Sequence, residues 1–512
     1  GPESDGPPDE DVPLAQMLGG VETHDGREVV FAMPEATDAL DTGLFSSRGL
    51  NRIGWSHHSY AEYLAAHYVC VRALRTAQIE TILLHPEDPE GGVVPQLVVT
   101  AAWIASMRDD VFALMVERDP TALFSADLLL VTEEQRRRLV QRIFSDEDSL
   151  RRAARDWGSR RHWRKLRNPW LSADLEAVLD DPLRSALAKR IAFELATACR
   201  ASALVPRALL VALDIDADIQ VREAAAELAA IAGSVEERRR LMPLAESRLG
   251  EDPDDDLKAA ALSGLWPDLL SVRELFALLR PPRNPDLIGS YSGFLFRDVV
   301  EHLGGSRLIE ALAWVESEAL RPGHRSHLDG LADRIMGSAW PHYSEPGIAA
   351  AFGRAAARRV LKGADLVGWD DRDAFNDCLS RDAEQRRAIS VSILNAMPPD
   401  KVHRMAFGRH PLLERGDTKW LLGLYQAAET DERRAAIAAL IPHVLDLRTS
   451  RDVDALLDAV ERNEGLRQRM ADLLTPVELA SDYAEEQRGF AQREAEFAAR
   501  ALQRERAKEA RT

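Results

Sequence analysis

The 512-residue sequence holds only three cysteines, Cys70, Cys199 and Cys378, too widely separated for a CxxC pair or an even disulfide framework. A zinc ribbon and a disulfide scaffold are thereby excluded, and a reducing cytoplasm is the expected setting. Aromatic residues make up only 6% of the chain, whereas apolar residues reach 46% and are rich in Ala and Leu, which favours closely packed helices over a β-sandwich or barrel. No run reaches about 18 uncharged apolar residues, so no membrane span is encoded. The start also lacks the basic-then-apolar pattern of a secretory signal. Positive charge is in deficit: 65 Lys and Arg stand against 84 Asp and Glu, a formal charge of -19. Such a surface repels phosphate backbones and anionic lipid on average, and a nucleic-acid role would need a local basic patch.

Reactive constellations are missing as well. His57, His58 and His67 make neither HExxH nor a Cys/His finger, and there is no GxSxG elbow. The acid clusters DPDDD (252–256) and DEDVP, close to the start, lack the spaced ligand pattern of a calcium loop and read as solvated caps. No metal site is expected.

What is present is mostly helical patterning. The chain opens Gly1-Pro2 without methionine, which reads as a protease scar or excision point, and residues 1–12 are expected to be a tag or disordered leader. Short β-prone runs, REVVF (27–31) and NRIGWSH (51–57), flank the polar, Gly-containing segment DTGLFSSRGLN, which suits a hairpin wing. A helix is expected after His58, with Tyr60, Leu64, Tyr68 and Val71 on one face. From about Pro95 onward only helices of roughly 10 to 20 residues are expected, divided by Pro, Gly and acidic turns.

A pattern then recurs: an Asp-rich turn, a charge, and an Ala-rich apolar helix. It begins at Asp180, at Asp216 and at Asp252, so successive copies start 36 residues apart. It returns at Arg381 and Thr430. This is the period of paired-helix, HEAT-like arrays, in which one unit cannot bury its apolar face alone and copies must stack. Asp216 and Asp218 are candidate caps of their helix, and Arg222 could bond across to the adjacent turn. The last segment is a charged helix with Tyr483, Phe490 and Phe497 at seven-residue spacing, expected to pack on the last repeat rather than seek a coiled-coil partner. The expected organisation is a leader (1–12), a small winged-helix remnant with a β-hairpin (13–85), a linking helical region (86–178), an α-solenoid of HEAT-like helix pairs (179–475) and a C-terminal helix (476–512).

One segment runs against the acidic background. Residues 151–170, RRAARDWGSRRHWRKLRNPW, interleave Arg and Lys with Trp157, Trp163 and Trp170. Arg bonds phosphates or carboxylates while Trp stacks bases. Arg160, Arg161, Trp163, Arg164, Lys165, Arg167 and Trp170 are therefore candidate partner-binding residues. A structural alternative buries the Trp rings against the first repeat and pairs the Arg side chains with acidic neighbours. The partner could be an acidic protein surface, a phosphate-bearing ligand or nucleic acid.

The most specific string is GLFSSRGLNRIGWSHHSYAEYLAAHYV, residues 43–69. It resembles the end of the winged-helix region of NACHT ATPases within the STAND class, where an aromatic-x-His element precedes an aromatic, a Glu, an aromatic or Leu, and paired alanines. Trp55, Ser56 and His57 match the first element; Tyr60, Glu62, Tyr63, Leu64, Ala65 and Ala66 match the second. The resemblance implies that His57 contacts the β-phosphate of bound ADP in the intact protein, whereas the alternative is a packed histidine. It also implies that Glu62 braces the helix and that Tyr60, Leu64 and the alanines pack it. It covers about the first 85 residues. GxxxxGK[ST] is absent, and VLKGADLVGWDD has the wrong order, so ATP or ADP with magnesium belongs to the intact parent.

The expectation is therefore a non-catalytic, cytoplasmic sensor region of a signalling ATPase. It would recognise an invader's protein in bacterial antiviral immunity, and the intact parent would oligomerise. Two rivals stand beside it. One is a DNA-acting or nucleic-acid-binding repeat protein using Trp163, Trp170 and Asp174; the other is a passive scaffold.

Overall fold

The computed structural model describes residues 12–13, 18–24, 27–30, 32–40, 42–47, 52–85, 91–120, 122–125, 132–155, 162–317, 327–345, 347–474 and parts of 490–500. These residues are mostly helical, and the chain divides into two compact units, Gly1–Leu269 and Leu270–Thr512.

Unit 1 begins with the only strands among the described residues. β1 (Val12–Pro13), β4 (Phe45–Ser47) and β5 (Arg52–Trp55) form an antiparallel sheet in the order β1-β5-β4, and β2 (Val21–His24) pairs with β3 (Arg27–Val30) as a hairpin. Strand β4 falls inside the segment read as a wing. Its Phe45 lies opposite Trp55 in register, and the two rings stack with centroids 4.6 Å apart. That cross-strand pair fixes how β5 enters the next helix.

Helix α1 (Met33–Leu40) lies between the hairpin and β4, and α2 (His58–Val71) follows β5. The packing of α2 corrects the expected face. Tyr60, Tyr68 and Val71 are exposed, as is Ala65, while Ala66 is fully buried against Val98–Met107. The reason is steric: the alanine side lets the second helix, itself lined by Ala101, Ala102 and Ala105, approach closely. Tyr63 then meets Trp103 edge-on at 5.1 Å.

The repeats follow. Helices α3 (Ala186–Cys199), α4 (Ile219–Ala232) and α5 (Asp256–Leu265) pack in succession, each through buried alanines. A Cβ added at Gly264 would lie 2.8 Å from that of Ala230, so α5 and α4 touch through the smallest residues available. Asp218 caps α4 by accepting from the amides of Gln220 and Val221. Asp216 does not cap; it is exposed, and its own amide donates to Asp214. In the next copy Asp252 takes the capping role from four residues before the helix, accepting from Leu257 and Lys258 amides.

A buried cation recurs at the same register. Arg222 donates to the Ala212 carbonyl at 3.3 Å and to the Leu249 carbonyl at 3.0 Å, reaching the adjacent turn as its position suggests. In the following repeat Lys258 donates to the Ala245 carbonyl at 2.6 Å. Each charge is 2% exposed and bonds a backbone carbonyl at the end of a neighbouring helix, Ala212 or Ala245.

Unit 2 repeats the arrangement with less regular spacing. Helix α6 (Ser306–Ser317) packs on α7 (Ile348–Lys362), and α7 on α8 (Ala383–Ala396). Its buried cations are Arg359, which reaches Asp333 and the Asp365 carbonyl, and Arg386, which reaches Glu414 and Asp417. Caps at Asp382 and Thr430 start helices where the pattern returns. Phe490 and Phe497 are exposed rather than packed, and Tyr483 lies outside the described residues. Among the described residues no helix is long and apolar enough to cross a membrane.

A cationic cleft as candidate functional site

The basic segment forms one wall of a cleft in unit 1. A short turn of helix, Trp163–Leu166, is pinned by Trp163 (1% exposed) and Leu166 (fully buried), and the Trp163 carbonyl accepts from Cys199 Sγ at 3.3 Å. With those two apolar anchors inside, Arg164 and Arg167 are turned outward and Lys165 half-outward. Asn168 locks the exit: its amide nitrogen donates to the Leu166 carbonyl and its oxygen accepts from the Trp170 amide, each at 3.0 Å. Helix Leu171–Asp180 starts from that turn.

The opposite wall comes from elsewhere in the sequence. Arg136, on helix Glu133–Ile143, donates to the Arg167 carbonyl at 3.4 Å. Arg200 ends α3 in the left-handed conformation, φ 51°, where its amide closes the helix on Ala196 and Thr197. Glycine would sit there without the penalty of roughly 1 kcal/mol that a side chain brings, so the arginine stands there against local backbone preference. Together with Arg164, Lys165 and Arg167 these side chains line a cleft of 650 Å³, opposed by the single carboxylate Glu133. Arg164, Arg167 and Arg200 form no ion pair among the described residues. In a chain of charge -19, three unpaired guanidinium groups on one concavity make a local field opposite to the average.

The remaining candidates divide clearly. Trp163 backs the cleft and offers no ring face to a ligand. Trp170 is 40% exposed, but Arg137 lies over its ring at 5.2 Å. Arg137 also grips Asp174 with two bonds of 2.9 Å, which holds that carboxylate in a structural ion pair. Arg160, Arg161 and Trp157 lie outside the described residues. Cys199 contributes to the cleft wall, but burial pushes its thiol up to about 12, so it stays protonated and unreactive near neutrality.

Sequence reading missed Arg136 and Arg200. Arg136 stands in the run RRR (136–138), and Arg200 occupies the helix end where Gly or Asn is usual, which is the signal that could have flagged it.

His57 stands at a second place in unit 1. It occupies the N-cap position between β5 and α2 in extended conformation, its ring exposed, with Nδ1 2.9 Å from Ser59 Oγ and the Tyr60 ring edge-on at 6.2 Å. It is not a core histidine. Glu62 is half-buried and lies 3.8 Å from His58 Nε2. Among the described residues no group of three or more His, Cys, Asp or Glu is placed to hold a metal ion. Comparison with protein-family models, with curated proteins and with solved structures yields no match to this chain.

Proposed function

We propose that the chain is the ligand-sensing and regulatory region of a NACHT-type signalling ATPase, and that it recognises an acidic protein surface at the cleft around Arg164, Arg167 and Arg200. The observation that carries this reading is the cleft itself, where Arg164 and Arg167 are held outward by the buried anchors Trp163 and Leu166 and Arg200 joins them from the end of α3. Guanidinium groups on a rigid wall suit bidentate capture of carboxylates, and charge complementarity speeds encounter. In the bacterial relatives that the string at residues 43–69 resembles, the ligand would be an invader's protein.

On this reading the chain performs no catalysis. ATP or ADP with magnesium binds the upstream module of the parent, and His57 meets the ADP phosphate there. The exposure of His57 at the junction of strand and helix supports that role, because an imidazole N–H there is available to a phosphate oxygen. Nucleic-acid binding is the second reading, favoured by the half-exposed Trp170 beside the arginines. Against it, one face of that ring is covered by Arg137, Trp163 is buried, and Asp174 is committed to Arg137.

The test is capture of partners by the full chain from phage-infected and uninfected bacterial cells, alongside a variant carrying Arg164→Glu, Arg167→Glu and Arg200→Glu. The reading expects an invader protein retained by the wild type at low salt and lost by the variant. Equal capture by both proteins, or no difference between the two cell samples, would remove it.

A further inference from the structure

Unit 2 holds a cationic cavity of its own, 540 Å³, between the start of helix α9 (Thr418–Ala427) and the start of α10 (Ser450–Arg462). Arg387, Arg415, Lys419 and Arg451 line it, and the carboxylates that join them, Asp446 and Asp452, number half as many. Arg415, Lys419 and Arg451 are exposed and form no ion pair among the described residues.

The carboxylates are already engaged. Asp452 is 5% exposed and accepts from Thr418 Oγ1 at 3.0 Å and from the Asp446 amide at 3.5 Å. Asp446 accepts from the Arg448 amide at 3.1 Å, a bond that holds its carboxyl below the usual carboxylate range. The fourth cation is fixed in place: Arg387 pairs at 2.8 Å with Asp417, which is 1% exposed, and lies 5.8 Å from the centre of the Trp420 ring. One cation is thus preorganised by a buried partner, and the other three form no ion pair among the described residues, although the charge of Arg415 also acts on Asp446.

We propose that this cavity binds a small molecule bearing two or more phosphate charges, with Arg415, Lys419 and Arg451 on the phosphate oxygens and Arg387 closing the inner side. Its volume lies within the range of small-molecule sites. The lining is concave and dominated by charged groups, which suits a compact polyanion better than an apolar ligand. Arginine forks bond phosphate oxygens in pairs, and several such bonds in one partly desolvated cavity offset the loss of hydration.

Calorimetric titration of the full chain with tripolyphosphate and, separately, with ATP tests the proposal and distinguishes a free polyphosphate from a nucleotide. At least one should bind saturably at one site, more weakly as salt rises. The double variant Arg415→Ala, Arg451→Ala should lose about tenfold or more in affinity, a free-energy change of about 1.4 kcal/mol or more, while its thermal melt stays that of the wild type. The variant Arg164→Ala, Arg167→Ala should bind as the wild type does, which separates this site from the cleft in unit 1. Three results would each overturn the proposal: no saturable binding of either probe, undiminished affinity in the first variant, or an equal loss in the second.

Discussion

Replacing Glu223 by glutamine should stabilise the protein at pH 8 and leave it nearly unchanged at pH 5. Glu223 sits half-buried on α4, and its pKa is pushed from an ordinary 4.5 up to about 7, first by burial and then by the charges of Asp256, Asp252, Asp254 and Asp218. A raised carboxyl pKa means that the folded chain holds a proton which the unfolded chain has released. Stability from this group is therefore full below about pH 4.5 and is lost as pH rises through about 7. The shift corresponds to roughly 3 kcal/mol at 1.36 kcal/mol per unit. Solvent reaches part of the side chain and screens the neighbouring charges, which reduces the effect to about 1–2 kcal/mol.

The assay is thermal or urea unfolding of both proteins at pH 5 and pH 8, because every other titrating group is common to the pair and cancels in the difference. The variant should gain a few degrees in Tm at pH 8, since about 1 kcal/mol moves a domain of this size by roughly 2–4 °C. Molar salt should shrink the gain by screening the aspartates while leaving the burial contribution. An advantage that is the same at both pH values would refute the assignment.

Gly353→Ala should destabilise by about 1–3 kcal/mol in chemical unfolding, because its Cβ would lie 2.6–2.8 Å from Ser392 Cβ and from backbone atoms that cannot yield. Gly423→Ala is the internal control: nothing lies within 4 Å, and helix propensity predicts neutrality or a gain of up to about 1 kcal/mol. Arg222→Leu removes the donor shared by the Ala212 and Leu249 carbonyls and should cost about 2–4 kcal/mol, read as a lower midpoint in urea. Asp218→Ala, losing a cap bonded to two amides, should cost about 1 kcal/mol and speed hydrogen exchange at Gln220 and Val221.

The helical architecture was readable because its causes are local and periodic. A 36-residue recurrence of acidic turn and Ala-rich helix required stacking, and Asp218 and Arg222 already stood at the positions where a cap and a cross-turn donor act. Burial within an aromatic stripe was not readable. Tyr60 and Tyr68 carried the apolar periodicity of their helix, yet Ala66 on the other side permitted the closer approach and won the interface. The same limit applied to the basic segment. Trp163 and Trp170 flank the cations symmetrically in sequence, and only packing under the Trp163–Leu166 turn buries one ring and leaves the other beside Arg137. The second wall of the cleft is more remote still, since Arg136, which bonds the Arg167 carbonyl, and Arg200, which joins the same lining, come from opposite directions along the chain.

The sensing account stands or falls on where a captured ligand sits. Hydrogen exchange of the full chain with and without a partner retained from infected cells would locate it. Recognition at the cleft predicts slowed exchange in residues 163–170 and 199–204, with both effects abolished by Arg164→Glu, Arg167→Glu and Arg200→Glu. Protection confined to other repeats, with these two segments unchanged, would contradict it.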